Sequence, residues 1–447
     1  MNTLSRLKQI ALIIGDIAIL YIALALTLWV RYGNFFYSKL FNQHLEPFTL
    51  VFIIWIAVYY IAGLYALPAL KNNLEFKKKF WATNLINTAI AAIFFYGVLT
   101  YFSISPRANL AIFLLIFGSA DYLWRHFYNW TLAKTDPVSR LLLIGSNKTA
   151  TEIYDCLIKN PQLGYQVNYW MKEGLEDKEF EHLSQIIVAN RINTLVIPAH
   201  LKKDGKSAKL IYRTLLLGIE VVDLSTLYEI LFQKVPLAEL EEVWFLENLA
   251  KKHRIYELIS APLEFIFAFV LSIIILPLAL IIAILIKLTS PGSAFFSQKR
   301  IGKDGKEFII WKFRTMREDA EKDGPQWANY HKDERVTKIG KFLRWAHLDE
   351  LPQLYNILRG ELSFVGPRPE QPEFVEKLRK ELPYYDLRHL TKPGITGWAQ
   401  INYRYAASVI DSYQKLQYDI YYIKNNSPLL DFLIILRTIK FLITNHA

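Results

Sequence analysis

Cysteine is almost absent from this sequence of 447 residues, in which Cys156 is the only one. A single cysteine forms neither an internal disulfide nor a thiolate metal cluster, so both are excluded. Charged residues are also few, at 21% against 53% hydrophobic residues, and the mean hydropathy is +0.17. The chain is therefore too apolar for an ordinary soluble protein, and its 18 prolines argue against one continuous bundle.

The charge that is present is basic, with a formal net charge of +11 and a pI near 9.3. A basic chain can bind nucleic acid, but here the positive charge accompanies long apolar runs. Anionic lipid headgroups and phosphate-bearing substrates are the more economical partners. We therefore expect membrane lipids, and no nucleic acid, among the partners of this chain.

Four long apolar runs open the chain, and a membrane span needs about 20 apolar residues. They are Ile10–Val30, Phe48–Leu67, Phe80–Ile104 and Ala108–Trp124, the last of which is short. They predict a four-helix transmembrane bundle over residues 1–130. Asp16 in the first run is costly in lipid unless it faces other helices or the interface. Lysine and arginine concentrate before the first run, between the second and third, and after the fourth. The positive-inside rule therefore puts both ends of this bundle in the cytoplasm.

Residues 138–250 change character and alternate between short apolar strands and helical patterns. Leu141–Ile144, Thr194–Pro198 and Ile219–Asp223 are the predicted strands, and the alternation predicts a parallel, doubly wound, Rossmann-like sheet. Asn147 and Ala150 occupy the second and third glycine positions of a dinucleotide fingerprint. A nucleotide could still bind there, but we expect a regulatory or dimerisation domain.

A fifth apolar run, Phe265–Ile286, is long enough to cross the bilayer. Basic residues lie on both sides of it, so both flanks are expected in the cytoplasm. Pro277 lies near its middle, where proline removes a backbone hydrogen bond and kinks a helix. These features predict a re-entrant membrane helix over residues 262–288, broken at Pro277. The alternative is a true span that places the C-terminal domain outside.

Residues 251–447 form the third predicted domain, and two adjacent acids, Asp349 and Glu350, are its main feature. They precede Pro352 and an apolar helical pattern, so we expect both at a helix N-terminus, where the dipole favours ionised carboxylate. Consecutive helical residues point about 100° apart, so the two acids should not do the same job. One could attack a substrate while the other holds a metal or a hydrogen-bond network. The alternative is that both acids simply decorate a helix start.

Cations surround these acids in the sequence. Lys299 and Arg300 follow the fifth run, and Lys312 and Arg314 alternate with aromatic residues as on a strand with one polar face. Such a strand beside a membrane helix could grip a phosphate at the bilayer surface, or it could simply be solvated.

A single arginine and a further acid complete the set. Arg368 stands between Pro367 and Pro369, which fix the backbone on both sides of one guanidinium. A preorganised arginine is a natural clamp for phosphate, although an ordinary turn is the alternative. Asp419 adds a third acid on an apolar helix.

The order of these motifs resembles the polyprenyl-phosphate phosphoglycosyl transferases of bacterial glycoconjugate assembly, specifically the monotopic superfamily in its long form with four extra N-terminal spans. The resemblance covers Lys252–Ala447 strongly and the preceding domains in layout only. It is carried by SPG, QKRIG, WKFRTM, LRWAHLDELPQLYNILRGELSFVGPRPE, KPGITGWAQINYR and YDIYYI. The implied architecture is a membrane α-helical bundle, a cytosolic α/β Rossmann-like domain, and an α+β catalytic domain with a re-entrant membrane helix.

The resemblance implies transfer of a sugar-1-phosphate from a UDP-sugar to undecaprenyl phosphate, with release of UMP. Asp349 would be the nucleophile that forms a covalent phosphosugar intermediate, and Glu350 would organise the metal site or handle a proton. Asp349 and Glu350 would hold Mg²⁺, which offsets diphosphate charge together with arginine and lysine.

The remaining candidate residues take supporting roles in this scheme. Lys312 and Arg344 would orient carboxylates or phosphate, and Arg368 would bind phosphate. Asp419 would position the nucleotide or the metal, and Lys299, Arg300 and Arg314 would complete the substrate-binding set. The implied location is the bacterial inner membrane, with the catalytic domain on the cytoplasmic face, and the implied assembly is a homodimer. The sequence does not identify the sugar, although a hexose is expected for the long form.

Two other classes share parts of this layout. Membrane-anchored nucleotide-sugar dehydratases also join four spans to a dinucleotide-binding domain, but none of the 26 tyrosines here is followed by lysine four residues later. A non-catalytic scaffold or regulator of polysaccharide export would explain the spans and the basic face. It does not explain why LDELPQ, PRP and KPGITGWAQ occur together.

Overall fold

A computed structural model describes residues 3–33, 38–65, 70, 72, 74–97, 107–134, 139–172, 182–203, 205–215, 217–249, 253–317, 335–403 and 408–444. The ends of the second and third predicted runs, at 66–67 and 98–104, and Lys251 lie outside these residues. The chain divides into two compact units, Met1–Leu231 and Phe232–Ala447.

The first unit opens with the four expected apolar helices. They are α1 (Thr3–Tyr32), α2 (Ser38–Ala62), α3 (Leu74–Gly97) and α4 (Arg107–Lys134). Among the described residues, α1, α2 and α4 contain segments long and apolar enough to cross a membrane, and α3 is not among them. The fourth predicted run was short, but it is part of the longer helix α4. Helix α3 is more polar than predicted from its apolar run, because it carries three consecutive lysines and a buried Asn87.

Asp16 and Asp121 face the inside of this bundle, where both side chains are 0% exposed. Arg125 of α4 forms ion pairs with both acids and is itself 1% exposed. The hydroxyl of Tyr59 donates a hydrogen bond to Asp121 at 2.8 Å, and the ring of Tyr59 lies under the Arg125 guanidinium. The costly Asp16 is therefore accommodated by packing against other helices, as expected.

The first unit continues into a four-stranded parallel sheet in the order β2-β1-β3-β4. The strands are β1 (Ser139–Ile144), β2 (Tyr165–Met171), β3 (Thr194–Ile197) and β4 (Glu220–Asp223). The helices beside them are α5 (Lys148–Lys159), α6 (Leu183–Ala189), α7 (Gly205–Leu215) and α8 (Leu224–Phe232). The three predicted strands are confirmed, whereas β2 was missed because its alternating polar residues give no apolar run.

The second unit begins earlier than the predicted boundary at residue 251. Its helix α9 (Glu242–Leu249) and the segment before it contribute Val235, Phe245 and Leu249 to the core of this unit. They pack with residues such as Val375 and Ile420, far along the chain. The local sequence contains no signal for this packing because its partners lie more than a hundred residues away.

A long helix, α10 (His253–Thr289), then leads into an antiparallel hairpin of β5 (Phe295–Ile301) and β6 (Glu307–Phe313). Short helices follow, and two short parallel strands, β7 (Ser363–Val365) and β8 (Gly394–Thr396), pair with each other. The helices are α11 (Lys338–Trp345), α12 (Gln353–Leu358), α13 (Pro372–Glu381), α14 (Trp398–Asn402), α15 (Val409–Asn425) and α16 (Pro428–Thr444).

Helix α10 packs one side on this unit along most of its length. Ala268, Leu271 and Ile275 contact a cluster that includes Ile310 of β6 and Leu354 of α12. Further along, Ile282 and Ile286 pack with Phe313 and Leu343. The segment Ser260–Thr289 is long and apolar enough to cross a membrane. Pro277 lies inside one continuous helix, so the predicted break at that residue is not seen as an interruption of the helix.

Glycine is required where β7 and β8 meet. A Cβ atom on Gly366 would lie 2.4 Å from the carbonyl oxygen of Lys392, and one on Gly397 would lie 2.1 Å from the carbonyl oxygen of Gly366. Two backbones therefore lie in direct contact here, and only residues without a side chain fit. This contact brings the motifs GPRP and KPGITG together, although they are separated in the sequence.

Candidate active site

The register of the β5–β6 hairpin decides which of its cations share a face. Arg300 pairs across the hairpin with Phe308, and Phe296 pairs with Lys312. Residues two apart in a strand point to the same side, so Arg300 and Lys312 lie on one face and Lys299 lies on the other. Lys299 is exposed and pairs with Glu307 at 3.1 Å. Of the two adjacent cations predicted to bind substrate, the structure therefore places Arg300, but not Lys299, on the same face as Lys312.

Asp349 and Glu350 lie in a 3₁₀ turn, Leu348–Glu350, and not in the first turn of a helix as expected. Helix α12 starts only at Gln353, with Pro352 before it. His347 precedes the turn with a left-handed backbone, φ +53°. This conformation is uncommon for a residue other than glycine and indicates a backbone constrained by its surroundings. The contacts of the two acids differ, and the distinct roles expected for them stay a prediction.

Glu350 takes both cations of the site. Its Oε1 atom lies 2.7 Å from Nζ of Lys312 and 3.0 Å from a guanidinium nitrogen of Arg368. Burial by itself raises the pKa of Glu350, but the charges of Arg368 and Lys312 outweigh it and hold that pKa well below its usual range. Burial lowers the pKa of Lys312, although Glu350 opposes the shift. Glu350 is therefore an ionised structural partner of two cations.

Asp349 is in the opposite situation. Among the described residues, its carboxylate accepts no hydrogen bond and forms no ion pair. Burial raises the pKa of Asp349, and the charges of Lys312 and Arg344 oppose that rise only in part. Asp349 is therefore a half-buried carboxylate beside a cationic pair, without an ion-pair partner of its own among the described residues. Such a group is available for reaction with an electrophile.

A small cleft lies beside Lys312 and Arg368, the two cations that contact Glu350. Its lining includes three of the cations predicted from the sequence. The lining residues are Arg300, Ile310, Lys312, Gln353, Arg368, Pro369 and Gly394. The side chain of Arg368 is 40% exposed, and one of its guanidinium nitrogens contacts Glu350.

Arg314 and Arg344 support the walls of this site. A guanidinium nitrogen of Arg314 donates to the backbone carbonyl of Ser290 at 2.9 Å, which fixes the end of α10 against the hairpin. Nε of Arg344 donates to the hydroxyl of Thr315 at 2.8 Å. The structure therefore places Arg314 with backbone, not in the cleft, whereas the charge of Arg344 reaches Asp349.

Asp419 lies apart from the other acids. It is 2% exposed and pairs with Arg388 at 3.0 Å. Burial raises the pKa of Asp419 to about 6, and Arg388 counteracts part of this shift. The sequence missed Arg388 as its partner, although YDLRHLTKPG places this arginine directly before a motif that did attract notice.

Asn356 was also missed, and it connects α12 to β6. Its side-chain amide accepts a hydrogen bond from the backbone nitrogen of Trp311 at 3.1 Å and donates to the carbonyl oxygen of Ile309 at 2.6 Å. This pairing holds the strand that carries Lys312 against the helix that follows Glu350. A polar residue within the apolar pattern LYNIL was the available signal.

Asp349 and Glu350 would bind a metal ion only together with the phosphates of a substrate. The described residues contain no group of three or more metal-ligating side chains. Mg²⁺ is commonly held by one or two carboxylates together with substrate phosphates and water. The unpartnered Asp349 next to Glu350 fits that arrangement, and both are hard oxygen donors.

Comparison with known proteins identifies a family to which the C-terminal part of the chain is similar. The profile described as Bacterial sugar transferase matches residues 255–445. A UDP-N-acetylgalactosamine-undecaprenyl-phosphate N-acetylgalactosaminephosphotransferase of Aeromonas hydrophila is 40% identical over 243 residues, 54% of this chain and 57% of that protein. A UDP-glucose:undecaprenyl-phosphate glucose-1-phosphate transferase of Escherichia coli (strain K12) is 42% identical over 178 residues, 39% of this chain and 38% of its own length.

A third relative extends the similarity beyond the C-terminal unit. A UDP-glucose:undecaprenyl-phosphate glucose-1-phosphate transferase of Klebsiella pneumoniae is 31% identical over 368 residues, which is 73% of this chain and 77% of that protein. The first two relatives are matched over only about a third to a little over half of their length. The relatives are named for different sugars, so the comparison leaves the sugar open.

Proposed function

This chain belongs to the bacterial sugar transferase family, and we propose that it transfers a sugar-1-phosphate from a UDP-sugar to undecaprenyl phosphate and releases UMP. The observation that carries the proposal is the division of labour between the two acids. Glu350 is bound by two cations, whereas Asp349 has no ion-pair partner among the described residues. The reaction would be the first membrane step in assembling a polysaccharide or other glycoconjugate.

In the first step, a carboxylate oxygen of Asp349 attacks the phosphorus that carries the sugar. The bond from this phosphorus to the oxygen bridging the two phosphates breaks, and UMP leaves with that oxygen. An acyl phosphate then joins Asp349 to the sugar-1-phosphate. In the second step, a phosphate oxygen of undecaprenyl phosphate attacks the same phosphorus, which frees Asp349 and completes the lipid diphosphate sugar.

The cations of the cleft would stabilise the charge that develops on the phosphate oxygens. Arg368 is the best placed for this because it lines the cleft and its side chain is partly exposed. Lys312 is held by Glu350, so its ammonium group would stabilise only phosphate oxygens that lie close to Glu350. Asp349 and Glu350 would also hold Mg²⁺ with the substrate diphosphate, and that ion would supply neutralising charge for the departing UMP.

The contacts of α10 support a re-entrant position for this helix. Its middle third packs on Ile310 and Leu354, and its last third packs on Phe313 and Leu343 of the same unit. A helix that crossed the bilayer would carry its two ends to opposite sides, away from one folded unit. We propose that α10 bends at Pro277 without a break in the helix, so that it enters and leaves on the cytoplasmic face of the inner membrane. This position would place Asp349 at the bilayer surface, where the lipid phosphate lies.

The decisive experiment is UMP release by the purified full chain in lipid, with Mg²⁺, undecaprenyl phosphate and a panel of UDP-sugars. We expect UMP from at least one donor and none from Asp349→Asn. The matched control is Asp304→Asn, at an exposed hairpin turn in the same unit, which should behave as wild type.

Three outcomes distinguish the alternatives. UMP release that survives in Asp349→Asn would remove Asp349 as the nucleophile. Trapping of a radiolabelled sugar phosphate on wild type, in the absence of lipid acceptor, would support the covalent intermediate. No UMP from any donor, with folded wild type, would favour the scaffold or regulator.

We propose that the α/β sheet of the first unit mediates a homodimer or regulation, as the sequence predicts. Light scattering of the full chain in detergent tests the dimer, and a monomeric mass would contradict it.

A further inference from the structure

The backbone that carries Arg368 is held by an unbroken series of hydrogen bonds. Four consecutive carbonyl oxygens of this segment each accept one. The donors are the backbone nitrogen of Gly394 to Pro367 at 3.0 Å, Arg388 to Arg368 at 2.9 Å, Arg300 to Pro369 at 3.1 Å, and the backbone nitrogen of Ile301 to Glu370 at 2.9 Å. Prolines have no N–H to donate, so the carbonyls are the groups by which this segment can be anchored.

Arg388 is the buried member of this series. It is only 7% exposed, and besides the carbonyl of Arg368 it contacts two other groups. One is the hydroxyl of Tyr385 at 2.6 Å, and the other is the carboxylate of Asp419 at 3.0 Å. A buried guanidinium is costly without a matched charge, and Asp419, at 2% exposure, supplies that charge. Arg388 is therefore fixed at three points.

The position of the Arg368 side chain depends on this anchoring. Its guanidinium contacts Glu350 at 3.0 Å, its side chain is 40% exposed, and it lines the cleft. Its Cα is joined to the carbonyl that Arg388 holds, so a shift of that carbonyl moves the guanidinium relative to Glu350 and Lys312. Displacements of about 1 Å at a reacting centre can cost about 100-fold in rate.

We propose that Arg388 is a positioning residue for the transfer reaction, which acts by holding the Arg368 carbonyl so that the Arg368 guanidinium points at the substrate phosphate, and that Asp419 holds Arg388. This inference rests on the proposed function. It assigns Asp419 to a different task from the binding of nucleotide or metal. It also makes Arg300 a second anchor of the same segment through the carbonyl of Pro369.

A double-mutant cycle separates this role from a merely structural one. The variants are Arg388→Lys, Arg368→Ala and the combination of the two, with kcat and KM measured for radiolabelled donor so that slow rates are quantified. Lysine keeps the charge at 388 but lacks the planar guanidinium fork, so it does not reproduce the fixed donor geometry of arginine. The matched control is Arg379→Lys, whose arginine makes an exposed ion pair with Asp386 and does not contact the Pro-Arg-Pro segment.

We expect Arg388→Lys to lower kcat by about 10-fold to 100-fold in the wild-type background. In the Arg368→Ala background, the same substitution should change kcat less than about twofold, because the side chain that it positions is gone. Arg379→Lys should match wild type. Equal fold-losses from Arg388→Lys in both backgrounds would overturn the proposal. A wild-type protein without activity on any donor would instead refute the proposed function.

If Arg388→Lys does not fold, as judged by thermal unfolding, Asp419→Asn takes its place in the cycle. Asparagine keeps an oxygen that can accept from Arg388 but removes the matching charge. We expect a smaller loss of kcat that again disappears in Arg368→Ala. An Asp419→Asn loss that is unchanged in that background would count against the proposal.

Discussion

Each unit of this chain contains a cluster of paired acidic and basic side chains, and the two clusters differ in how much of them is exposed. In the helical bundle, Arg125, Asp16 and Asp121 are all within 1% of complete burial. In the C-terminal unit, Lys312 and Glu350 keep 19% and 16% exposure, and Arg368 keeps 40%. Asp349 stands beside this second cluster without an ion-pair partner among the described residues.

The difference separates charges that serve packing from charges that serve chemistry. A closed cluster in an apolar bundle has no room for a ligand and fixes how helices meet. A cluster with one exposed cation and one unpartnered carboxylate can accept a charged substrate. Both clusters combine acidic and basic side chains, so exposure and pairing distinguish them, and the following predictions test this distinction.

The largest expected effect belongs to Glu350→Gln. Removing this charge leaves Lys312 and Arg368 without their common partner, so both cations should move from their positions. We expect sugar-phosphate transfer to fall by roughly 10²–10³-fold, measured as UMP release by folded protein. The control is Glu307→Gln, whose partner Lys299 is exposed on the same hairpin. A Glu350→Gln enzyme with near wild-type kcat would break the assignment of this cluster to catalysis.

In the bundle, Arg125→Met should instead cost stability. Two buried acids would lose their cation, and breaking such a pair typically costs about 3 kcal/mol or more. Thermal unfolding in detergent measures this, and activity per folded molecule should stay near wild type. Adding Asp16→Leu and Asp121→Asn to the same chain should restore most of the stability. Loss of transfer activity in the folded Arg125→Met protein would contradict the conclusion that the bundle cluster serves packing alone.

A smaller effect is expected from pH. Asp349 must be ionised to attack, and burial raises its pKa above the ordinary value of 3.8. Its protonated fraction therefore appears at a higher pH than for an exposed aspartate, so the rate of UMP release should decline as pH falls and should recover as pH rises. Single-turnover release across acidic pH measures the decline. A profile that stays flat below the ordinary aspartate pKa would contradict the environment described for Asp349.

The smallest effect is expected from Lys299→Met. This lysine is 71% exposed, pairs with Glu307, and lies on the face of the hairpin opposite to Lys312. Exposed ion pairs contribute little, so kcat/KM for the donor should change less than about twofold. Lys312→Met serves as the comparison and should be severely impaired. A strong donor-binding defect in Lys299→Met would show that the second face of the hairpin also meets substrate.

A truncated protein that contains only the C-terminal unit should begin at the boundary that the structure shows. A chain that begins at residue 251 would lose Val235, Phe245 and Leu249 from the core of this unit. Any test of the C-terminal unit alone should therefore start near Phe232, where the two units divide.

The sequence by itself determined the apolar helices, three strands of the parallel sheet and the neighbourhood of Asp349, because apolar periodicity and motif order are local properties of the chain. It could not determine how segments distant in the chain meet. The hairpin register separates Lys299 from Arg300, and the contact of GPRP with KPGITG places Arg388 on the Arg368 carbonyl. Only the tertiary structure decided that Glu350 takes both cations and leaves Asp349 open, since ion pairing depends on distances of a few ångströms between residues that the sequence keeps far apart.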